Sequence, residues 1–409
     1  MAVKIKVEEI TKIFGKKPKK ALELLEQNKS KDEILKATGN NVGVNKASFE
    51  VEEGEVFVIM GLSGSGKSTL VRLFNRLIEP TSGSVWIDGE NLAKMDEKKL
   101  RDVRRKKMSM VFQQFGLFPF RTIQSNVEYG LEIQGIDPAE RKEKAGKALE
   151  LVGLKGYENM HPDELSGGMQ QRVGLARALA NDPDVLLMDE AFSALDPLIR
   201  KDMQDELLDL QGKMRKTIIF ITHDLDEALR IGDRIMIMKD GAVIQTGTPE
   251  QILMHPKDDY VEKFVEDVDR SKVFTVEHVM SRAESINIEK EGPRVALQRM
   301  KEGNISSIFV TNRQKELLGV VHSSEVSRLA QEGKDSVEEI IERNVPTVEK
   351  GTVLKEMMNL LTYTNIPLAV VEDNKLKGIV FRGSVMAALS GGEVIEHGNT
   401  SETAAGSMD

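Results

Sequence analysis

The segment Gly61-Leu62-Ser63-Gly64-Ser65-Gly66-Lys67-Ser68-Thr69 carries the spacing G-x-x-x-x-G-K-[ST]. Such a loop lets successive backbone N–H groups turn toward phosphate oxygens at the positive end of a helix dipole. Lys67 is placed to reach the β- and γ-phosphates of a nucleoside triphosphate, and the Ser68 hydroxyl to ligate Mg²⁺. A Gly-Ser turn with a chance lysine would lack the flanks found here, the apolar run Val56–Met60 before it and the helical TLVRLFNRLI after it. A second chemical edge follows in Val185-Leu186-Leu187-Met188-Asp189-Glu190. Four apolar residues bring a strand to the site, Asp189 holds the metal directly or through water, and Glu190 polarises the water that attacks the γ-phosphate. Standing alone, an apolar run ending in Asp-Glu reads as a strand meeting solvent; downstream of a phosphate loop the catalytic reading is favoured.

A third feature is Leu165-Ser166-Gly167-Gly168-Met169-Gln170-Gln171-Arg172, which opens the helix QQRVGLARALA. Ser166, Gly167 and Gly168 make a second anion-binding helix start in the same chain. One phosphate loop and one extra start make sense if two copies pair head to tail. Each ATP would then lie between the loop of one copy and the Ser-Gly-Gly of the other.

In this order the motifs resemble those of the ATP-binding-cassette (ABC) ATPases, over about residues 4–250. The resemblance includes a Q-loop in Val111-Phe112-Gln113-Gln114, a D-loop in Ser193-Ala194-Leu195-Asp196 and a switch histidine in Ile221-Thr222-His223-Asp224. It implies that Gln113 senses Mg²⁺ and the attacking water, and carries movement between the ATP site and membrane subunits. It also implies that His223 contacts the γ-phosphate and holds Glu190, that Asp196 belongs to the nucleotide-binding set, and that Phe14 stacks on adenine. The insertion KKPKKALELLEQNKSKDEILKATG (16–39), followed by 42–83, and the stretch MDEAFSALDPLIRKDMQDELLDLQ are similar to the ATPase subunits of bacterial glycine betaine and proline betaine importers. That likeness implies permease partners, in some cases fused to a solute-binding domain, and a peripheral position on the cytoplasmic side of the membrane. An importer motor for another small solute, or a soluble cassette ATPase outside transport, remains as the alternative.

Positioning these residues takes several elements. At 409 residues the chain predicts two or three domains. VKIKVEEITKIF reads as a strand turning at Gly15, and residues 16–39 as an inserted helical stretch ended by Gly39. Up to residue 250, apolar runs alternate with helical segments, predicting an α/β unit with a largely parallel sheet. By the resemblance this is an ABC-type P-loop fold, a mixed sheet core with a helical subdomain. Residues 251–272 read as a polar, helical connector, a linker between domains. Beyond them, NISSIFVTNRQKELLGVVHSSEV (304–326) and NIPLAVVEDNKLKGIVFRGSV (365–385) repeat one another, each with a Gly-led strand and a following helix. The simplest unit is β-α-β-β-α, which resembles tandem CBS domains at 273–330 and 337–391, followed by an acidic flexible tail, 392–409.

CBS pairs that bind adenine nucleotides carry Thr and Asp after the Gly-led strand; here His322, Glu325, Phe381 and Ser384 stand in those places. The resemblance to osmolyte importers implies cyclic di-AMP as a regulator, with Ile305, Ser307, Ile366, Ile379, Phe381 and Arg382 as candidate contacts. Ionic strength acting on lysines such as Lys272, Lys290, Lys301 and Lys315 near anionic lipid is a second regulatory reading.

Composition narrows the rest. A net charge of −9 argues against nucleic acid as a partner, and the basic run Arg101, Arg104, Arg105, Lys106, Lys107 reads as a solvated face. With no cysteine, disulfides and thiolate chemistry are excluded. The start has no apolar run after its lysines, so it is not a secretion signal, and no stretch is long enough to span a bilayer.

Overall fold

The computed structural model describes residues 2–362, 364 and 366–390; the tail expected at 392–409 lies outside the described residues. The chain divides into two units after Val268.

In the first unit a six-stranded sheet runs in the order Ala242–Gly247, Arg234–Lys239, Val56–Met60, Thr217–Thr222, Val185–Asp189, Met108–Phe112. All neighbours are parallel except the first pair. Val56–Met60 and Thr217–Thr222 are buried at every position, which is why they read as unbroken apolar runs and not as alternation. A second, antiparallel sheet orders Asn41–Glu52, Val3–Phe14, Ser82–Ile87 and Glu90–Asn91. The helix Lys67–Phe74 joins the two sheets in one core: Leu70 and Phe74 pack with Ile5, Phe49, Phe57, Leu187 and Ile219. A separate helical part holds Ile123–Ile133, Pro138–Leu151 and Gly167–Leu179, which pack on one another.

Two expectations change and a third is sharpened. The insertion is a pair of helices, Pro18–Glu26 and Lys31–Thr38, and not one. Asn28 takes a left-handed φ of 59°, and Ser30 with Glu33 forms a capping box that restarts the chain. The 251–272 connector is helical, and it is also packed: Pro249–Met254 and Asp259–Val265 bury Ile252, Leu253, Val261 and Val265. The basic run is not wholly solvated: Arg104 donates from Nε to the Asn75 carbonyl at 2.7 Å and from its guanidinium to that of Arg76. These carbonyls end the helix behind the phosphate loop, so Arg104 closes it as a C-terminal cation does.

The second unit contains the β-α-β-β-α repeat twice: Ser285–Asn287, Pro293–Glu302, Ser307–Thr311, Leu317–His322, Ser323–Gln331, then Thr347–Val348, Leu354–Thr362, Leu368–Glu372, Lys375–Val380, Arg382–Ser390. Each three-stranded sheet pairs its first two strands parallel and its last two antiparallel. The repeats interlock reciprocally. Ser281, ahead of the first, exchanges both backbone hydrogen bonds with Ile379 of the second, at 2.8 and 2.9 Å. Glu342, ahead of the second, does the same with Val320 of the first, both at 3.0 Å. The strand glycines noted in the repeat admit these crossings. A Cβ on Gly319 would stand 2.4 Å from the Glu342 oxygen, and one on Gly378 2.8 Å from the Ser281 oxygen.

Candidate functional site

The phosphate loop emerges from the fully buried strand Val56–Met60 and bends at Gly66, whose φ of 103° precedes the helix Lys67–Phe74. A Cβ there would meet the Gly43 carbonyl at 2.4 Å, whereas one on Gly64 would meet nothing within 4 Å. One face of the loop is thus pressed against the protein and the other left open. Lys67 is buried and donates to the Gly61 carbonyl at 2.8 Å and that of Leu62 at 3.2 Å. Burial pushes its pKa down, and the carboxylates of Glu190 and Asp189 oppose that. Among the described residues the buried Ser65 hydroxyl has no hydrogen-bond partner. A cavity of about 350 Å³ is lined by Phe14, Lys31, Gly43, Ser63, Gly64, Gly66, Lys67, Ser68, Thr69 and Glu190, among others. An anionic chain fits this combination of open backbone, buried cation and orphan hydroxyl.

At the end of the strand Val185–Asp189, Asp189 accepts a hydrogen bond from the Ser68 hydroxyl at 3.2 Å. Burial raises its pKa, against the Ser68 hydrogen bond. A desolvated carboxylate beside a hydroxyl is the donor set of a hard divalent cation that completes its shell with phosphate oxygens and water, so Mg²⁺ fits. Glu190 follows with a left-handed φ of 47°, its amide bonded to the Ile221 carbonyl at 3.1 Å. That turn directs it to His223, whose Nδ1 lies 3.3 Å from Glu190 Oε2. Gln113 donates to the Ser193 hydroxyl at 3.0 Å, and Ser193 donates to the Glu190 carbonyl at 2.9 Å. Ser193 and Lys31 were not among the residues singled out from the sequence. Ser193 sat inside the D-loop string as a spacer, and Lys31 belongs to the insertion.

The remaining candidates lie elsewhere. Ser166 caps its helix, accepting from the Met169 amide at 3.4 Å, and stands exposed with Gly167. Asp196 caps the helix Pro197–Met214 through the Ile199 amide at 3.1 Å. Neither Asp196 nor the stretch Ser166 to Gly168 lines the cavity. The Leu62 side chain is exposed, so Leu62 acts through its backbone. In the second unit Ile366, Ile379 and Phe381 share an apolar cluster with Phe309, Val320 and Ala369 from both repeats. Ile305 is not in that cluster; it packs in the core of the first repeat with Ile286, Met300 and Val310. Ser307 starts a strand opposite His322, and Arg382 is exposed at the start of the last helix.

A phosphate loop backed by a parallel sheet, with a helical part carrying its own Ser-Gly-Gly start, is the architecture of a cassette ATPase. The ABC transporter family matches residues 44–193, and the CBS domain matches residues 265–332 and 337–391. The chain belongs to the ATP-binding subunits of ABC transporters that carry paired CBS domains. It is 68% identical, over 96% of its length and 98% of the relative's, to the glycine betaine/carnitine transport ATP-binding protein of Listeria monocytogenes. It is 62% identical to the glycine betaine transport ATP-binding protein of Bacillus subtilis, over 95% of this chain and 93% of that one. It is 49% identical to the glycine betaine/proline betaine transport system ATP-binding protein of Escherichia coli, over 95% and 98%. A dimeric ATP-binding cassette solved in a post-hydrolysis state with ADP and Pi superposes with a TM-score of 0.51 at 33% identity, covering 60% of this chain and 98% of that one. ATP hydrolysis coupled to transport is therefore the activity, and the solved cassette that this chain resembles is a dimer. Among the described residues no helix is long and apolar enough to cross a membrane.

Proposed function

We propose that this subunit energises import of glycine betaine or a related quaternary amine, from the cytoplasmic side of the membrane. The observation that carries the catalytic part is the meeting at one strand end of two pairs, Ser68–Asp189 at 3.2 Å and Glu190–His223 at 3.3 Å. The loop amides and Lys67 hold the β- and γ-phosphates. Ser68, Asp189 and Gln113 hold Mg²⁺, which when bound neutralises phosphate oxygens. Glu190 takes the proton of the attacking water, while His223 fixes its carboxylate and contacts the γ-phosphate. Phe14, 39% exposed at the cavity rim, stacks on adenine. The exposed, self-capped Ser166 start supports head-to-tail pairing, in which Ser166, Gly167 and Gly168 of one copy, together with its Asp196, complete the site of the other.

The solute follows from the near full-length likeness to betaine-transport relatives, as does a permease that carries its own solute-binding domain. Regulation rests on the second unit. The apolar cluster of Ile366, Ile379 and Phe381 between the repeats, with the exposed Arg382 beside it, supports binding of a cyclic dinucleotide such as cyclic di-AMP. Exposed Lys290, Lys301 and Lys315 support a response to ionic strength. The test is ATP-driven uptake of labelled glycine betaine into vesicles holding the subunit and its permease, across internal salt and cyclic di-AMP. Uptake that requires ATP, and that both salt and the dinucleotide change, is expected. ATP hydrolysis without betaine uptake would overturn the solute assignment, and responses unchanged by removal of the CBS pair would overturn the regulatory one.

A further inference from the structure

The cavity beside the phosphate loop has a lining residue from outside the catalytic motifs. Lys31 opens the second helix of the insertion and shares the cavity with Phe14, Gly43, Gly64 and Thr69. The insertion is not loosely attached: Ala21, Leu25 and Ile34 pack with Ile13 and Val42 of the strands on either side of it. Ile34 is fully buried. It lies one helical turn from Lys31 and on the same face, so anchoring Ile34 sets where Lys31 points. After the left-handed cap at Gly39 the chain returns directly into Asn41, Val42 and Gly43, which form another wall of the cavity.

The surroundings of Lys31 are unfavourable for a cation without a partner. It is half-buried, and desolvation lowers its pKa more than Asp240 and Asp32 raise it. It stands at the first position of its helix, where the dipole and the exposed amides favour negative charge. Among the described residues its ammonium makes no hydrogen bond or ion pair, whereas the ammonium of neighbouring Lys29 pairs with Glu33 at 3.4 Å. A desolvated cation lining the same cavity as the glycine loop and Lys67 matches one kind of ligand, an anionic phosphate chain.

We infer that the insertion contributes a binding residue to the nucleotide site, with the Lys31 ammonium pairing with the phosphate chain of ATP. The inference rests on the ATP reading of this cavity. Lys31 thereby adds a nucleotide contact from a segment that lies outside the phosphate loop, Q-loop and switch motifs.

The test uses the full chain carrying Glu190→Gln, so that binding is measured apart from turnover. MgATP, MgADP and adenosine are titrated against this parent and against versions with Lys31→Ala, Lys31→Arg or Lys36→Ala. Lys36 is an exposed lysine of the same helix and serves as control. Lys31→Ala is expected to weaken MgATP about 5- to 20-fold and to make its affinity less sensitive to salt. Lys31→Arg should restore most of the loss, Lys36→Ala should match the parent, and adenosine should bind all four equally. In the chain with Glu190 intact, Lys31→Ala should raise KM for ATP with kcat retained. Equal affinity and equal salt dependence of parent and Lys31→Ala would overturn the inference while leaving the ATP reading standing. A parent that binds no MgATP would overturn the ATP reading, and the inference with it.

Discussion

The phosphate-loop cavity and the paired CBS repeats both depend on glycines pressed against a carbonyl, but the glycines serve different ends. At Gly66 the close approach is to Gly43, part of the same wall, and the loop's opposite side at Gly64 stays open. At Gly319 and Gly378 the approach is to the segment that leads into the other repeat, Glu342 and Ser281 respectively, which fills the space a side chain would take. The first arrangement leaves backbone donors free for a ligand. The second consumes them in two reciprocal pairs of hydrogen bonds. A glycine in a motif therefore becomes evidence for binding only when one side of it remains unfilled, and that is a property of the neighbours and not of the residue.

The contrast can be broken from either side. The largest effect is expected from Glu190→Gln. It removes the proton acceptor but keeps the size and turn, so ATP binding should persist while kcat falls roughly 10²- to 10⁴-fold. Steady-state hydrolysis with a parallel binding titration checks this, and substantial turnover would dismiss Glu190 as the base. Gly319→Val comes next. Its Cβ would stand 2.4 Å from a backbone oxygen that is itself hydrogen-bonded, so the second unit should lose about 3 kcal/mol or more. In a thermal melt the transition of that unit should drop while ATP hydrolysis survives. A smaller consequence is expected at Ser193, whose hydroxyl links Gln113 to the Glu190 carbonyl. Ser193→Ala removes roughly 1 kcal/mol of hydrogen bonding, so kcat should fall about five-fold with KM for ATP unchanged.

Much of this was legible because the chemistry is local in sequence. The phosphate loop, Asp189 and Glu190 each end a buried strand, and the apolar run before each one shows it. The repeat of two β-α-β-β-α units was equally visible, since each copy keeps its Asn-Ile, its glycine and its helix. What escaped was set by tertiary neighbours. Ile305 and Ile366 stand at the same place in their repeats, each after an asparagine, yet one packs in the core of its own repeat and the other in the cluster between repeats. Arg104 sits in a basic run but caps carbonyls of a helix that lies 28 residues away in sequence. The break in the insertion was readable in principle, for Ser30 and Glu33 carry a capping-box spacing; the leucine periodicity on both sides masked it.

The smallest predicted effect separates the two regions most cleanly, because its sign depends on the ligand. Asp189 has its folded-state pKa raised by burial. A carboxyl raised in this way contributes stability below its unfolded pKa of about 4, and that contribution is lost as pH rises through the folded value. At neutral pH the ionised Asp189 is therefore a cost to the apo fold. Asp189→Asn cannot ionise and keeps an acceptor for Ser68, so without metal and nucleotide it should melt about 2 °C higher at pH 7. The gain should shrink as pH falls and be gone below the unfolded pKa, where the wild-type carboxyl is protonated in both states. Adding MgATP should reverse the order, since the cation then holds the carboxylate that asparagine lacks and stabilises wild type alone. No comparable reversal is expected for substitutions at Gly319 or Gly378, whose cost is steric at every pH and with any ligand. An Asp189→Asn protein that melts below wild type both with and without MgATP would mean that the carboxylate is held by the fold itself. The cavity would then be as self-contained as the crossing between the repeats.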